Sequence, residues 1–283
     1  LAGGQHEIIA QRHCQNLFHQ TCACATRARS LGHRADGAQI GGACVDRMAE
    51  TYPDKEAIVV CHQDIRWTFS EYRERIDALA LGLLKLGVGP GDRVGIWSPN
   101  RVEWCLTQFA TAKIGAIMVC LNPAYRLYEL EYALNKVECK TVITAPSFKT
   151  SEYLKMLFEL APELETCAPG QLASEKLPHL TTVIRMGDEV SSGCYNFADV
   201  TAMGGDEERA NLSEIAAKLQ PDDAINIQFT SGTTGNPKGA TLTHFNILNN
   251  GLQVGAGMRF SADDRLCIPV PLYHCFGMVM GNL

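Results

Sequence analysis

From residue 230 to residue 239 the chain reads TSGTTGNPKG. Ten residues therefore hold four hydroxyl side chains (Thr230, Ser231, Thr233, Thr234), three glycines (Gly232, Gly235, Gly239) and one ammonium, that of Lys238. Glycines let backbone N–H groups turn toward a ligand, and hydroxyls and an ammonium add donors, so the segment, with Asn236 and Pro237, suits a polyphosphate. The spacing is not that of the Walker loop. Five residues after Gly232 stands Pro237, and Lys238 is followed by Gly239 instead of Ser or Thr. Charge-assisted donor bonds contribute about 1.5–3 kcal/mol each, so three or four would support micromolar nucleotide binding by a loop ordered beforehand. A solvated Gly/Ser/Thr linker is the bland reading. Pro237 beside Lys238, with an apolar strand pattern before and a helix after, argues against it. An NTPase of another kind needs a magnesium-binding carboxylate after a strand, and the nearby Asp263 and Asp264 read as turn residues.

A second cluster is PLYHCFG, residues 271–277, where His274 lies among Leu272, Phe276, Met278 and Val279. Such a histidine is either a core residue or the polar edge of an apolar pocket. Cysteine offers less chemistry. The chain has 12, but no C-x-x-C pair, and the closest two are Cys22 and Cys24. Cys61, Cys105, Cys120, Cys139 and Cys267 lie in apolar segments and read as small buried hydrophobes in a reducing compartment.

The elements that must position these residues follow from periodicity. Residues 57–61 and 65–69 read as short strands around a turn. Ser70 is then expected to cap a helix to Leu86 with Ile76, Leu79, Ala80, Leu83 and Leu84 on one face, and Gly87 to end it. Residues 93–97 form a strand pattern. Asn100 and Glu103 have capping-box spacing before a helix carrying Val102, Cys105, Leu106, Phe109 and Ala110. Residues 116–121 read as a strand covered on both sides, Leu130, Ala133, Leu134 and Val137 as a helix face, and residues 141–144 as a strand. Beyond these, residues 159–176, 187–193 and 204–208 read as loops, 182–186 as a strand and 212–219 as a helix. Residues 224–229 are a strand leading into the phosphate segment, with a helix from about Thr243. Strands alternating with helices predict an α/β fold of parallel-rich sheets flanked by helices.

Composition limits the function. In 283 residues, 46% are hydrophobic and 20% charged, and the net charge is −6 without a basic run, which argues against nucleic acid as a partner. The longest apolar run, residues 114–121, is far short of the ~18 residues of a membrane span. Residues 1–39 stand apart. Between Ile8 and Ala35 there is no acidic residue, while Arg12, Arg27, Arg29 and Arg34 are present, so this leader reads either as a mitochondrial transit segment or as a disordered tail.

The phosphate segment resembles the signature of the adenylate-forming superfamily of acyl-CoA synthetases, luciferases and adenylation domains. WTFSEY (residues 67–72), GVGPGDRVGIWSPN (87–100), AKIGAIMVCLNPAY (112–125) and PLYHCFG agree in the same order. The resemblance covers roughly residues 40–283 and implies the N-terminal portion of the large AMP-binding domain of such an enzyme, incomplete. It also implies the reaction: a carboxylate attacks the α-phosphate of ATP, giving acyl-adenylate and pyrophosphate, and coenzyme A then displaces AMP to form a thioester. Thr230 to Lys238 would grip the outer phosphates, Mg2+ would share their charge, and His274, Phe276 and Gly277 would border the acyl pocket. Residues 266–283 contain no carboxylate to hold an amino-acid ammonium, which favours an alkyl or aryl acid. Residues 122–140 and 225–246 are most similar to the mitochondrial medium-chain acyl-CoA synthetases, implying a medium-chain fatty acid and a matrix location.

The family's segments for adenine and magnesium and for the ribose, its hinge and its late lysine are not found. The expectation is an N-terminal fragment that forms no thioester alone and contains no catalytic residue. The alternative is a truncated, non-catalytic nucleotide-binding or interaction protein.

Overall fold

The computed structural model describes residues 41–230 and 236–282. The expected leader, residues 1–39, lies outside them. The described chain opens with α1 (Gly41–Thr51), followed by β1 (Glu56–Val60) and β2 (Ile65–Thr68), an antiparallel pair. Next come α2 (Phe69–Lys85), β3 (Arg93–Trp97), α3 (Val102–Lys113), β4 (Ile117–Cys120), α4 (Leu127–Lys136) and β5 (Thr141–Thr144). They are followed by α5 (Tyr153–Leu160), β6 (Thr182–Arg185), β7 (Cys194–Asn196), α6 (Phe197–Ala202) and α7 (Asp206–Ala216). The described chain closes with β8 (Ala224–Thr230), β9 (Lys238–Thr243), α8 (His244–Met258) and a π-helical turn, Phe276–Gly281. No helix among the described residues is long and apolar enough to cross a membrane.

Seven strands form one sheet in the order β7-β6-β5-β3-β4-β8-β9, parallel except for β9, which runs antiparallel to β8. This is the α/β architecture that the alternating pattern predicts. Helix α2 buries Ile76, Leu79, Ala80 and Leu83 completely, and Gly87 beyond it takes φ +76°, a left-handed turn that costs glycine no β-carbon clash. Trp97, at the end of β3, stacks on Tyr153 of α5 at 4.1 Å. Lys113, at the buried end of α3, reaches Asp46 of α1 at 2.6 Å and Asp77 of α2 at 2.5 Å, tying three helices through one cation.

Several local expectations change. Helix α2 is capped by Thr68, not Ser70: the Thr68 hydroxyl accepts from Glu71 N at 3.3 Å and the Glu71 carboxylate accepts from Thr68 N at 2.9 Å. Asn100 does not cap α3. The first amide of that helix, Val102 N, donates to the side chain of Gln63 at 2.8 Å, a cap from a distant turn that local spacing cannot reveal. Residues 206–208, which read as loop, are the first turn of α7, where Asp206, Glu207 and Glu208 complement the helix dipole. Helix α5, β7, α6 and β9 are elements that the sequence pattern does not predict. Cys105, Cys120 and Cys139 are buried as expected, but Cys61 and Cys267 are exposed.

His244 begins α8 and is fully buried, its Nδ1 accepting from Gly41 N at 3.0 Å and so joining the start of α1 to α8. Burial lowers its pKa from 6.5 to about 4, against a smaller opposing effect of Asp223. Below about pH 6.5 the unfolded chain therefore binds a proton that the folded chain refuses. Stability is expected to fall by on the order of 2–3 kcal/mol as pH drops from 6.5 to about 4, then to level off for this group. Urea unfolding at pH 7 and 4.5 checks this, because a His244→Gln variant should lose that part of the pH dependence; an unchanged slope counts against it.

Candidate functional site

Because β3, β4, β5, β6 and β8 are parallel, their carboxyl ends share one edge of the sheet, the edge at which ligands bind in open α/β folds. The chain leaves β3 toward one neighbour, β4, and returns across it to β5 on the other side, so the strand order reverses there. Three of the motif segments end at this edge: Ser98 to Asn100 after β3, Leu121 to Tyr125 after β4, and the phosphate segment after β8. Cross-links stiffen it. Trp97 Nε1 donates to the Asn122 carbonyl at 3.1 Å, Tyr153 donates to the Pro123 carbonyl at 2.9 Å, and Tyr125 meets Phe229 edge-on at 6.4 Å.

Thr230 ends β8 and Lys238 begins β9, paired across the hairpin, with the Thr230 hydroxyl donating to the Lys238 carbonyl at 3.4 Å. Both side chains are exposed, and Asn236 and Pro237 lead into Lys238. Ser231, Gly232, Thr233, Thr234 and Gly235 lie outside the described residues. What is seen is the frame of the loop: two strands hold its ends side by side and set a hydroxyl and an ammonium at its base. Tyr128 of α4 adds an outer contact, its hydroxyl donating to Asn236 Oδ1 at 3.4 Å.

The segment of His274 is held against the same edge. Asn100 Nδ2 donates to the Val270 carbonyl at 2.8 Å and Asn100 Oδ1 accepts from Leu272 N at 2.7 Å, so one amide clamps both sides of Pro271. Gln228 Nε2, two residues before Thr230 on β8, donates to the Tyr273 carbonyl. Farther along, Asn282 donates to Gln108 of α3 at 2.7 Å, and Tyr72 of the WTFSEY segment touches Asn282 at 3.5 Å. The structure thus brings Thr230, Lys238 and the His274 segment together through β8.

Within the segment, half-buried His274 accepts through Nδ1 from Phe276 N at 3.4 Å, and burial lowers its pKa, which favours the neutral ring at pH 7. Gly277 is buried where a β-carbon would lie 2.8 Å from the carbonyl carbon of Pro271, so glycine closes the turn. Burial pushes the nearby Cys120 thiol up to about 12, so it is no thiolate nucleophile. Asp263 N and the Asp264 carboxylate bond Ser261 in a turn, as expected of turn residues. Asn100, Gln228 and Tyr128 join these segments through contacts that the sequence does not reveal. Asn100 and Tyr128 stand in or beside motif segments, but their partners are 170 and 108 residues away. Replacing Asn100 with alanine is expected to strand the Val270 carbonyl and the Leu272 amide at a cost of about 2 kcal/mol. Faster proteolysis within residues 266–277 and a lower urea midpoint would show it; an unchanged midpoint would not fit.

The parallel sheet with its hydroxyl- and glycine-rich hairpin at the carboxyl edge is that of an AMP-binding enzyme, and residues 45–283 match that family. The chain belongs to it. It is 48% identical over 244 residues to the mitochondrial medium-chain acyl-CoA ligase ACSF2 of Danio rerio, covering 85% of this chain and 40% of the relative. It is 44% identical over 247 residues to the protein of the same name from Homo sapiens, covering 86% and 40%. The chain therefore spans about 40% of the length of these relatives. Among solved structures, the anthranilate CoA ligase AuaEII in complex with anthranoyl-AMP shares the fold with a TM-score of 0.73 at 22% identity, over 86% of this chain and 42% of that one.

Proposed function

We propose that residues 40–283 are the N-terminal part of an AMP-binding domain that activates a medium-chain fatty acid with ATP, first to the acyl-adenylate and then to the coenzyme A thioester. The observation that supports this is the coupling through β8: the hairpin holding Thr230 and Lys238 is tied by Gln228 to the apolar segment of His274, Phe276 and Gly277. Phosphates gripped at the first and an acid lying along the second would meet at one sheet edge. Charge accumulates on pyrophosphate as it leaves, and donors fixed beforehand stabilise it without reorganising.

Among the described residues no three His, Cys, Asp or Glu side chains lie close enough to hold a metal ion; Mg2+ would share the charge of the gripped phosphates. Coenzyme A would be the acceptor in the second step. The mitochondrial location of the ACSF2 relatives and the acid-free, arginine-bearing stretch within residues 1–39 support a mitochondrial matrix reading. That stretch, taken as a leader, lies outside the described residues.

A stretch that matches 40% of its relatives is expected to bind ATP without completing the reaction. Thermal unfolding of the chain should shift upward with Mg-ATP, by about 2.7 kcal/mol at a hundred times the dissociation constant. Octanoate-dependent exchange of labelled pyrophosphate into ATP should not exceed that of a Lys238→Ala control. Absence of any ATP shift at millimolar concentration overturns the nucleotide reading, and strong exchange overturns the expected inactivity.

A further inference from the structure

Strand β8 carries two buried amides that neither the phosphate hairpin nor the acid-facing segment fully uses. Asn226 is 1% exposed and Gln228 8%. They pair with Met118 and Cys120 of β4, so all four side chains lie on one face of the sheet, the face on which Gln228 meets the Tyr273 carbonyl. The orientation of each amide follows from its partner. Asn226 Nδ2 faces the Met118 carbonyl at 3.3 Å and Gln228 Nε2 faces the Tyr273 carbonyl. A carbonyl only accepts, so the nitrogen must point to it and the oxygen must point away.

Asn226 Oδ1 and Gln228 Oε1 are consequently buried acceptors with no hydrogen-bond partner among the described residues. Two positions apart on a strand, they lie roughly 7 Å from one another along β8. A group that completes them has to donate. A saturated alkyl chain, an ether or a carboxylate cannot. An ammonium would donate but would carry an uncompensated charge into a segment, residues 266–282, without an acidic side chain. An uncharged donor fits, and on a carboxylic acid the simplest such group is a hydroxyl.

We propose that Asn226 and Gln228 form a polar floor beneath the His274 segment that selects a medium-chain carboxylic acid bearing a hydroxyl group over its unsubstituted counterpart. This deepens, and rests on, the reading of residues 271–277 as the acid-facing segment. A hydrogen-bonding site of this kind discriminates more strongly than an apolar one, because an analogue without the donor leaves buried acceptors unpaired.

Calorimetric titration of the chain with octanoate, 2-hydroxyoctanoate, 3-hydroxyoctanoate and 8-hydroxyoctanoate, with Mg-ATP titrated separately, tests it without any substitution. At least one hydroxy acid is expected to bind ten times more tightly than octanoate. In a Gln228→Met variant, whose folding is checked by its thermal transition, the ratio of the two affinities should collapse toward one. If ordered water alone completes the two oxygens, all four acids bind alike and the proposal falls. It falls equally if no acid binds or if the variant keeps the preference. ATP binding with no preference among the acids overturns this inference alone, whereas failure of both ATP and every acid to bind overturns the functional reading with it.

Discussion

A Gly82→Ala variant is expected to lose about 3 kcal/mol or more of stability, even though alanine is the better helix former by about 1 kcal/mol in an exposed helix interior. Gly82 lies within α2 where that helix crosses α6. A β-carbon there would overlap the carbonyl oxygen of Val200 and stand 2.7 Å from its carbonyl carbon and 2.9 Å from one of its methyl groups. Backbone cannot rotate aside as a side chain can. The two helices would have to separate, and with them the contacts of Leu79, Leu83 and Val200, all of which are fully buried. The packing penalty therefore outweighs the propensity gain. At Gly257, near the end of α8, an added β-carbon would meet nothing within 4 Å, so Gly257→Ala should be neutral or slightly stabilising. Urea midpoints of the two variants test the contrast, and a Gly82→Ala protein as stable as its parent would refute the packing argument.

The second large effect concerns ligand rather than fold. Lys238→Ala is expected to weaken ATP binding by roughly ten- to a hundredfold, the equivalent of one charge-assisted hydrogen bond to phosphate. Stability should change by no more than about 0.5 kcal/mol, because the side chain is exposed and the backbone pairing of Lys238 with Thr230 needs no ammonium. Isothermal titration with Mg-ATP at two salt concentrations reads both the loss and its electrostatic origin, since the parent affinity should fall with salt more steeply than that of the variant. Equal affinities would remove Lys238 from the phosphate grip and leave the loop's hydroxyl and backbone donors to account for any binding.

The elements legible in the sequence are those whose pattern is local and strong. The Ile76, Leu79, Ala80, Leu83 face of α2 repeats at the helical period, and residues 93–97 and 141–144 are short strand patterns carrying Val94, Ile96, Val142 and Ile143, so the burial of these side chains can be anticipated. Helix α5 is hidden because it is only eight residues long and immediately precedes a Pro- and Glu-rich stretch. Strand β9 is hidden because Lys-Gly-Ala-Thr-Leu-Thr has a weak strand pattern and becomes a strand by pairing with β8. The site divides in the same way. The phosphate segment is readable because ten consecutive residues carry its donors, whereas Asn100 has the spacing of a helix cap and its actual partners, Val270 and Leu272, lie far along the chain.

Taken by itself, the sequence determined the class of the molecule: an α/β chain of the AMP-binding family, read from motifs whose residues lie close together in the chain. Only the tertiary structure decided how the parts meet. Gln63 caps α3, Asn100 clamps Pro271, and Gln228 joins the phosphate hairpin to the His274 segment while leaving its own oxygen unpaired. The physical reason is that a hydrogen bond between residues tens to hundreds of positions apart depends on the register of the sheet, and register is a property of the folded chain, not of any short stretch within it.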